Sequence, residues 1–438
     1  MECTFPERSA LIAYIKECGT PYWTGNESLV AALDIKTASR PDAFPLVYSV
    51  VELPGWARDL GADGGILVPS HCIMAALDTQ EPYARIDWWQ AAFHMLSCFD
   101  EARWEELNGP AHSYSYRLKR FDPRVWERAW VNRIFLFLRR WAARNTGRDE
   151  TAIFGALPPA NVIMTHDVDA VSKTLSIRSK ALAFDVFNGV VNLTRGDIAQ
   201  FGKKVAEGAK FFLSAADYWC FPRIRELERR HGVQSRFYVY AGSESVGEAF
   251  TRVVFDPGYR IRKHPTLART LRDLHDEGCE VGLHQSFGAW EDAARMENER
   301  MRLETALDLP ITSCRQHWLR FSLKKTWSAQ TAAGLTEDST LGFNDRCGFR
   351  AAAALEAKPW SHNNARPHSL QAVPLVLMDS QFYDYQMLSD QSRRDTMEKW
   401  VREVREVHGT ASVLWHQQVL SPDYGWDRGF TELLEIIQ

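Results

Sequence analysis

The chain lacks the marks of an extracellular disulfide scaffold. Its eight cysteines, at 3, 18, 72, 98, 220, 279, 314 and 347, are scattered over 438 residues with no CxxC pair. Such spacing fits reduced thiols and argues against a zinc-thiolate site. The N-terminal stretch MECTFPERSALIAYIKECG has no basic segment leading into an apolar one, so no secretory signal is expected. No apolar run approaches the roughly 18 residues of a membrane span. A cytoplasmic location is therefore expected. The basic excess of a dedicated nucleic-acid binder is missing too, since the formal charge is −4, and no nucleic-acid partner is expected. There is no internal repeat and no low-complexity tract.

What is present is the composition of a folded globular protein, 45% apolar and 25% charged. The 16 Trp supply cores first and sugar-stacking surfaces second. A chain of 438 residues exceeds what one hydrophobic core usually serves, so two domains are expected. The boundary falls in RNTGRDETAIFGALPPAN, giving an accessory domain over 1–155 and a second domain over 156–438. The first domain reads as mostly helical α+β. It has a helix from Arg8 to Cys18, strands over 44–52 and 65–69, and helices over 88–104 and 123–145. In the last of these Trp126, Trp130, Ile134, Leu138 and Trp141 form one apolar stripe, the pattern of a packed helix.

Residues 161–438 alternate strand and helix. Strands are expected at 161–167, 234–242, 280–284, 311–317, 372–379 and 411–416, and helices at 223–232, 267–279, 297–308, 326–335, 395–409 and 430–437. Repeated β-α units imply an α/β fold with a parallel sheet, right-handed crossovers and a barrel-like closure. Polar residues collect where strands end. Asp167 and Asp169 close THDVD, His284 closes EVGLH, Arg315 and His317 close the next strand, and His416 closes VLWH. In a parallel α/β barrel such ends share one mouth, where carboxylates and imidazoles can hold a divalent metal and still leave an acid and a base.

In order, THDVD, EVGLHQS, RQHWLRF, DSTLGFNDRCGFR and VLWH resemble the five motifs of the polysaccharide deacetylases, the NodB-homology superfamily or carbohydrate esterase family 4. The resemblance is nearest to a WbmS-like bacterial subgroup that accompanies surface-polysaccharide genes. It covers residues 161–438 and extends to 85–145. It implies a (β/α)7 barrel that removes an acetyl group from a sugar, in biosynthesis of an O-antigen or capsule type of polysaccharide. It also implies a divalent metal cofactor, zinc first, with nickel, cobalt or manganese as alternatives. By the same resemblance Asp167 matches the general base, His284 a metal ligand, Arg315 the arginine that holds the base, and His416 the general acid. Asp338 falls near the fourth motif and joins the catalytic set.

Two positions depart from the motifs. Val168 stands where the family has a ligating Asp, so Asp169 is taken as the carboxylate ligand. Gly288 stands where the second ligating His belongs, so His317 is taken as the third ligand, with a purely structural His317 as the alternative. His166 reads as a packing or supporting residue. Ser339, Thr340, Asp345 and Arg350 form either a substrate-facing loop or an ordinary turn. The basic residues Lys173, Arg178, Lys180, Arg195, Lys203, Lys204 and Lys210 read as a solvated face, or as a peripheral contact with a membrane surface. The acetylated glycan is the expected partner. A non-sugar amidohydrolase and an inactive glycan-binding barrel are the competing functions.

Overall fold

The computed structural model describes residues 5–40, 44–75, 81–174, 177–178, 206, 209–242 and 255–438. The chain divides into two compact units. One comprises Met1–Ile163, Gly288–Asn298 and Thr312–Leu414; the other comprises Met164–Phe287, Glu299–Ile311 and Trp415–Gln438.

The N-terminal part of the first unit is helical around one antiparallel pair. Strand β1 (Tyr48–Glu52) runs against β2 (Gly65–Pro69), from Tyr48 opposite Pro69 to Glu52 opposite Gly65. These strands pair with each other and add nothing to the large sheet described below. The expected helix over 88–104 is two helices, Trp88–Leu96 and Phe99–Asn108. Cys98 between them has φ +51°, which no α-helix continues through. The apolar stripe over 123–145 is also divided. Pro123–Trp126 is a 3-10 turn, and the α-helix runs Trp130–Thr146 until Gly147 ends it at φ +69°. Trp130, Ile134, Leu138 and Trp141 are buried along it.

Polar residues of these helices are tied to the C-terminal third of the same unit. Arg133 donates to Glu403 through Nε at 3.0 Å and Nη2 at 2.8 Å. Asn132 bonds both polar groups of the Ala354 main chain at 2.9 Å, and Arg350 pairs with Glu101. All six residues are buried.

The remaining strands are β3 (Asn161–Val168), β4 (Arg236–Val239), β5 (Glu280–Gln285), β6 (Ser313–Gln316), β7 (Glu337–Asp338), β8 (Trp360–Ser361), β9 (Arg366–Pro367), β10 (Gln371–Ala372), β11 (Leu375–Met378) and β12 (Thr410–Leu414). Eight of them share a sheet in the order β10-β7-β6-β5-β4-β3-β12-β11. The pairs β3–β4, β4–β5, β6–β7, β7–β10 and β11–β12 are parallel, as crossover helices require. Strands β8 and β9 form a small hairpin that the sequence pattern does not announce.

The two ends of that strand order lie on one stretch of chain. Gln371 and Ala372 pair with β7, and Val373 N–H still donates to Asp338 O at 2.8 Å. From Leu375 onward the same segment pairs with β12, and Pro374 O accepts from Ser412 N–H at 2.8 Å. Pro374, with no N–H to offer, stands at the exchange of partners. Counted as one strand, residues 371–378 bring the total to seven, the (β/α)7 arrangement.

A buried carboxylate in the N-terminal part gives the first prediction. Asp100 is 5% exposed and accepts from Leu46 N–H at 2.8 Å. Burial pushes it up to about 6, against lowering by the Leu46 bond and by Arg103. A raised carboxyl favours the protonated form in the folded state. Its stability is full below the unfolded value of 3.8 and is lost as pH rises through about 6. The displacement corresponds to roughly 3 kcal/mol at most. Asp100→Asn is expected to be more stable than the parent at neutral pH and no more stable near pH 4. Urea melts at both pH values decide it, since an equal difference at each pH would contradict the origin proposed.

Candidate metal centre

The second unit brings four of the expected site residues together. Asp167 is the last residue but one of β3, and Asp169 stands just past its end. Val168 between them is fully buried and faces the other way, as alternate strand residues do. His284 lies on β5, with β4 between it and β3, so the two backbones are roughly 10 Å apart. The side chains close that gap. His284 Nε2 is 3.8 Å from Asp167 Oδ2 and 3.2 Å from Asp169 Oδ1. His416, two residues beyond β12, places Nε2 at 3.6 Å from Asp169 Oδ2. Asp169 therefore faces one imidazole with each oxygen.

Depth differs across this group. The side chains of His284 and Asp167 are 1% and 4% exposed, whereas those of His416 and Asp169 are 17% and 23% exposed. Asp167 and His284 form the floor, and Asp169 and His416 the side reached by solvent.

The main chain here is fixed by residues whose roles the sequence reading did not anticipate. Tyr259 donates its hydroxyl to Val168 O at 2.6 Å and accepts from Tyr240 N–H at 2.9 Å, which holds the end of β3. Burial pushes the Tyr259 hydroxyl well up, so it stays a donor. Past β5, Ser286 N–H donates to the buried Glu299 at 3.0 Å, and Phe287 N–H donates to Asp256 at 2.6 Å. Glu299 had a legible signal. On the helix Ala293–Leu307 it lies on the stripe of Met296, Leu303 and Leu307, a carboxylate among buried apolar residues.

In the first unit, Arg315 lies on β6 and is fully buried. Its Nε donates to Ser339 O at 2.9 Å and its Nη2 to Ser339 Oγ at 2.8 Å. His317 is the first residue of the turn His317–Leu319 and is 6% exposed. The next two residues have positive φ, Trp318 at +57° and Leu319 at +45°. Ser113 Oγ binds Leu319 O at 2.6 Å and Asn344 Nδ2 binds Trp318 O at 2.9 Å, which maintain that backbone.

Asp338 is enclosed completely. It accepts from Trp327 Nε1 at 3.1 Å, Gln330 Nε2 at 2.8 Å, and both the N–H and the hydroxyl of Thr340. Burial pushes its carboxyl up against those four bonds. It organises the end of β7. Arg350 is likewise buried and bonded to Glu101 and Ser113, whereas the half-buried Asp345 accepts from Ser115 and Tyr116. These protein partners are of the kind the ordinary-turn alternative expects. Of the basic residues between 173 and 210, Lys180, Arg195, Lys203 and Lys204 lie outside the described residues. Lys173 does not face solvent, because its side chain is 2% exposed and donates to Asp423 at 2.5 Å.

Gly288 has a local explanation. A Cβ built there would come within 2.8 Å of Arg295 Nη1, the far end of a flexible side chain, so the guanidinium lies over the glycine and would have to move aside for a side chain at this position. Among the described residues the second unit offers Asp169 and His284, a carboxylate and an imidazole suited to a metal ion, and the first unit offers the imidazole of His317. This is a recognised set for a divalent ion. The 3.2 Å between Asp169 Oδ1 and His284 Nε2 also fits, since two ligands at ~2.1 Å on a tetrahedral ion stand roughly 3.4 Å apart.

No protein-family description matches the chain, and no curated protein matches it. Solved structures give distant likenesses. A candidate polysaccharide deacetylase from Mycobacterium smegmatis is 17% identical, with 64% of this chain and 85% of that one covered and a TM-score of 0.35. A polysaccharide deacetylase from Bacillus cereus is 8% identical, with 63% and 86% covered and a TM-score of 0.31. A family 4 carbohydrate esterase from Streptomyces lividans is 12% identical, with 64% and 85% covered and a TM-score of 0.28. The (β/α)7 fold rests on strand order and pairing, not on these likenesses.

Proposed function

We propose that this protein is a metal-dependent hydrolase that removes an acetyl group from a sugar, in biosynthesis of a surface polysaccharide. The observation that carries the reading is the meeting of Asp167, Asp169, His284 and His416, with His284 and His416 on opposite oxygens of Asp169. The proposed metal ligands are Asp169, His284 and His317. A divalent ion held there would supply a Lewis acid for the acetyl carbonyl and its attacking water.

The chain's own residues supply proton transfer. Asp167, on the floor of the site, accepts the proton of the water as its oxygen bonds to the acetyl carbon. His416, on the solvent side, donates a proton to the sugar nitrogen or oxygen as its bond to that carbon breaks. Acetate and the free amine or hydroxyl are the products. Arg315 is assigned to orienting Asp167, and Asp338 to supporting the end of β7. A cytoplasmic location and an acetylated glycan partner belong to the same proposal.

One observation keeps a second reading in view. Gly288 brings no side chain where the motif's second ligating His belongs, which suits an inactive glycan-binding barrel. Metal analysis of the purified protein, with acetate release from N,N′,N″-triacetylchitotriose before and after chelation, separates the two. Metal present and chelator-sensitive acetate release are expected. Absence of both would favour the binding reading.

A further inference from the structure

One buried polar chain in the second unit has no place in the proton transfers just described. The main chain of Trp415 is held at both of its polar groups by neighbours on β3. Its N–H donates to Thr165 O at 3.0 Å, and its carbonyl oxygen lies 2.6 Å from His166 Nδ1. A carbonyl oxygen only accepts, so Nδ1 is the donor. His166 Nε2 lies 2.9 Å from Glu228 Oε1, and Arg225 Nη1 lies 2.6 Å from Glu228 Oε2. Burial raises the Glu228 carboxyl, but the bonds from His166, Ser235 and Arg225 outweigh it and hold the group below its ordinary value. Glu228 thus bridges the ring and the guanidinium, one oxygen to each.

His166 and Glu228 are both fully buried. The ring of His166 stacks on Phe237 at 4.9 Å and meets Phe430 edge-on at 5.5 Å. A phenylalanine would fill that space without the desolvation cost of a buried ion pair. What the polar chain adds over packing is a fixed carbonyl at Trp415. His166 directly precedes Asp167, and Trp415 directly precedes His416. One ring therefore joins the two main-chain positions that carry the proposed base and the proposed acid.

We infer that His166 is a positioning residue that, braced by Glu228 and Arg225, sets where His416 stands relative to Asp167. The inference rests on the hydrolase reading for its consequence, namely that proton delivery to the leaving group depends on this strut. A misplacement of about 1 Å can cost roughly a hundredfold when a group must meet its partner in the transition state.

The test uses two probes and the full-length protein. Triacetylchitotriose loses an amine, which must be protonated to depart, whereas 4-nitrophenyl acetate loses a phenolate that leaves as a stable anion. For His166→Phe, kcat on the chitotriose is expected to fall about ten- to a hundredfold, with KM changed less than about twofold. Rates on the aryl ester, counted above Asp167→Asn, should stay within about threefold. His166→Asn retains a donor near Nδ1 and should recover part of the chitotriose rate. Equal loss on both probes, or no loss on either, overturns the inference. Should His166→Phe fail to fold, Glu228→Gln is expected to show the same split between probes. If the parent protein hydrolyses neither probe, it is the hydrolase reading that fails. The strut is then judged by amide hydrogen exchange, where His166→Phe should speed residues 415–420 and leave the helix Thr326–Ala332 unchanged. Unchanged exchange at 415–420 would overturn the strut itself.

Discussion

Asp167→Asn is expected to lower acetate release by about a thousandfold while leaving bound metal in place, since general-base contributions run to roughly 10²–10⁴. The size follows from where Asp167 stands. Its carboxylate is nearly enclosed and lies 3.8 Å from His284 Nε2, farther than the 3.2 Å of Asp169. That ordering leaves Asp167 to the water and Asp169 to the ion. Asn keeps the shape and can accept a hydrogen bond, but it cannot take a proton at neutral pH. Acetate release and metal content, measured on the same preparation, give the answer. Loss of metal together with activity would move Asp167 into the ligand set, and retained activity would remove it from the mechanism.

The second large effect concerns metal occupancy. His284→Ala and His317→Ala are each expected to weaken metal binding by at least a hundredfold or so, because replacing even a residue behind a ligand costs about 10–100-fold. Catalytic zinc sites hold three protein ligands, and Asp169 with His284 alone would be one short. The pair of variants therefore has a sharp reading. Equal loss in both makes His317 the third ligand. If His317→Ala keeps its metal, His317 serves only to begin the turn at 317–319.

The β-α alternation was readable because buried parallel strands are near-continuous apolar runs separated by amphipathic helices. Strands β3, β5 and β12 fall within two residues of expectation at both ends. Breaks within elements were not readable, because they depend on tertiary context. Cys98 takes a left-handed conformation that nothing local announces, and residues 371–378 read as one strand although they pair with two different neighbours. At the site, the strand-end rule brought out Asp167, Asp169, His284 and His416. It passed over Tyr259, Asp256, Glu299 and Glu228, which act on main-chain groups or on other supports and carry no motif. Glu228 is the instructive case, since it shares a buried helical face with Ile224 and Leu227 and looks from the sequence like a misplaced charge.

The bond between Arg133 and Glu403 spans 270 residues of sequence. At ribosomal rates of about 5–20 residues per second, the arginine waits roughly 15–55 s for its partner to be made. Glu101 waits nearly as long for Arg350, 249 residues later. The N-terminal helices must therefore be born incomplete, with Arg133 unable to enter the interior uncompensated until the chain is almost finished. The dependence also runs the other way. A fragment beginning at residue 156 would keep Arg350 and Glu403 without their counter-charges, at about 3–5 kcal/mol for each pair broken. Expression of that fragment alone should yield aggregated protein, and supplying residues 1–155 in trans should recover soluble material.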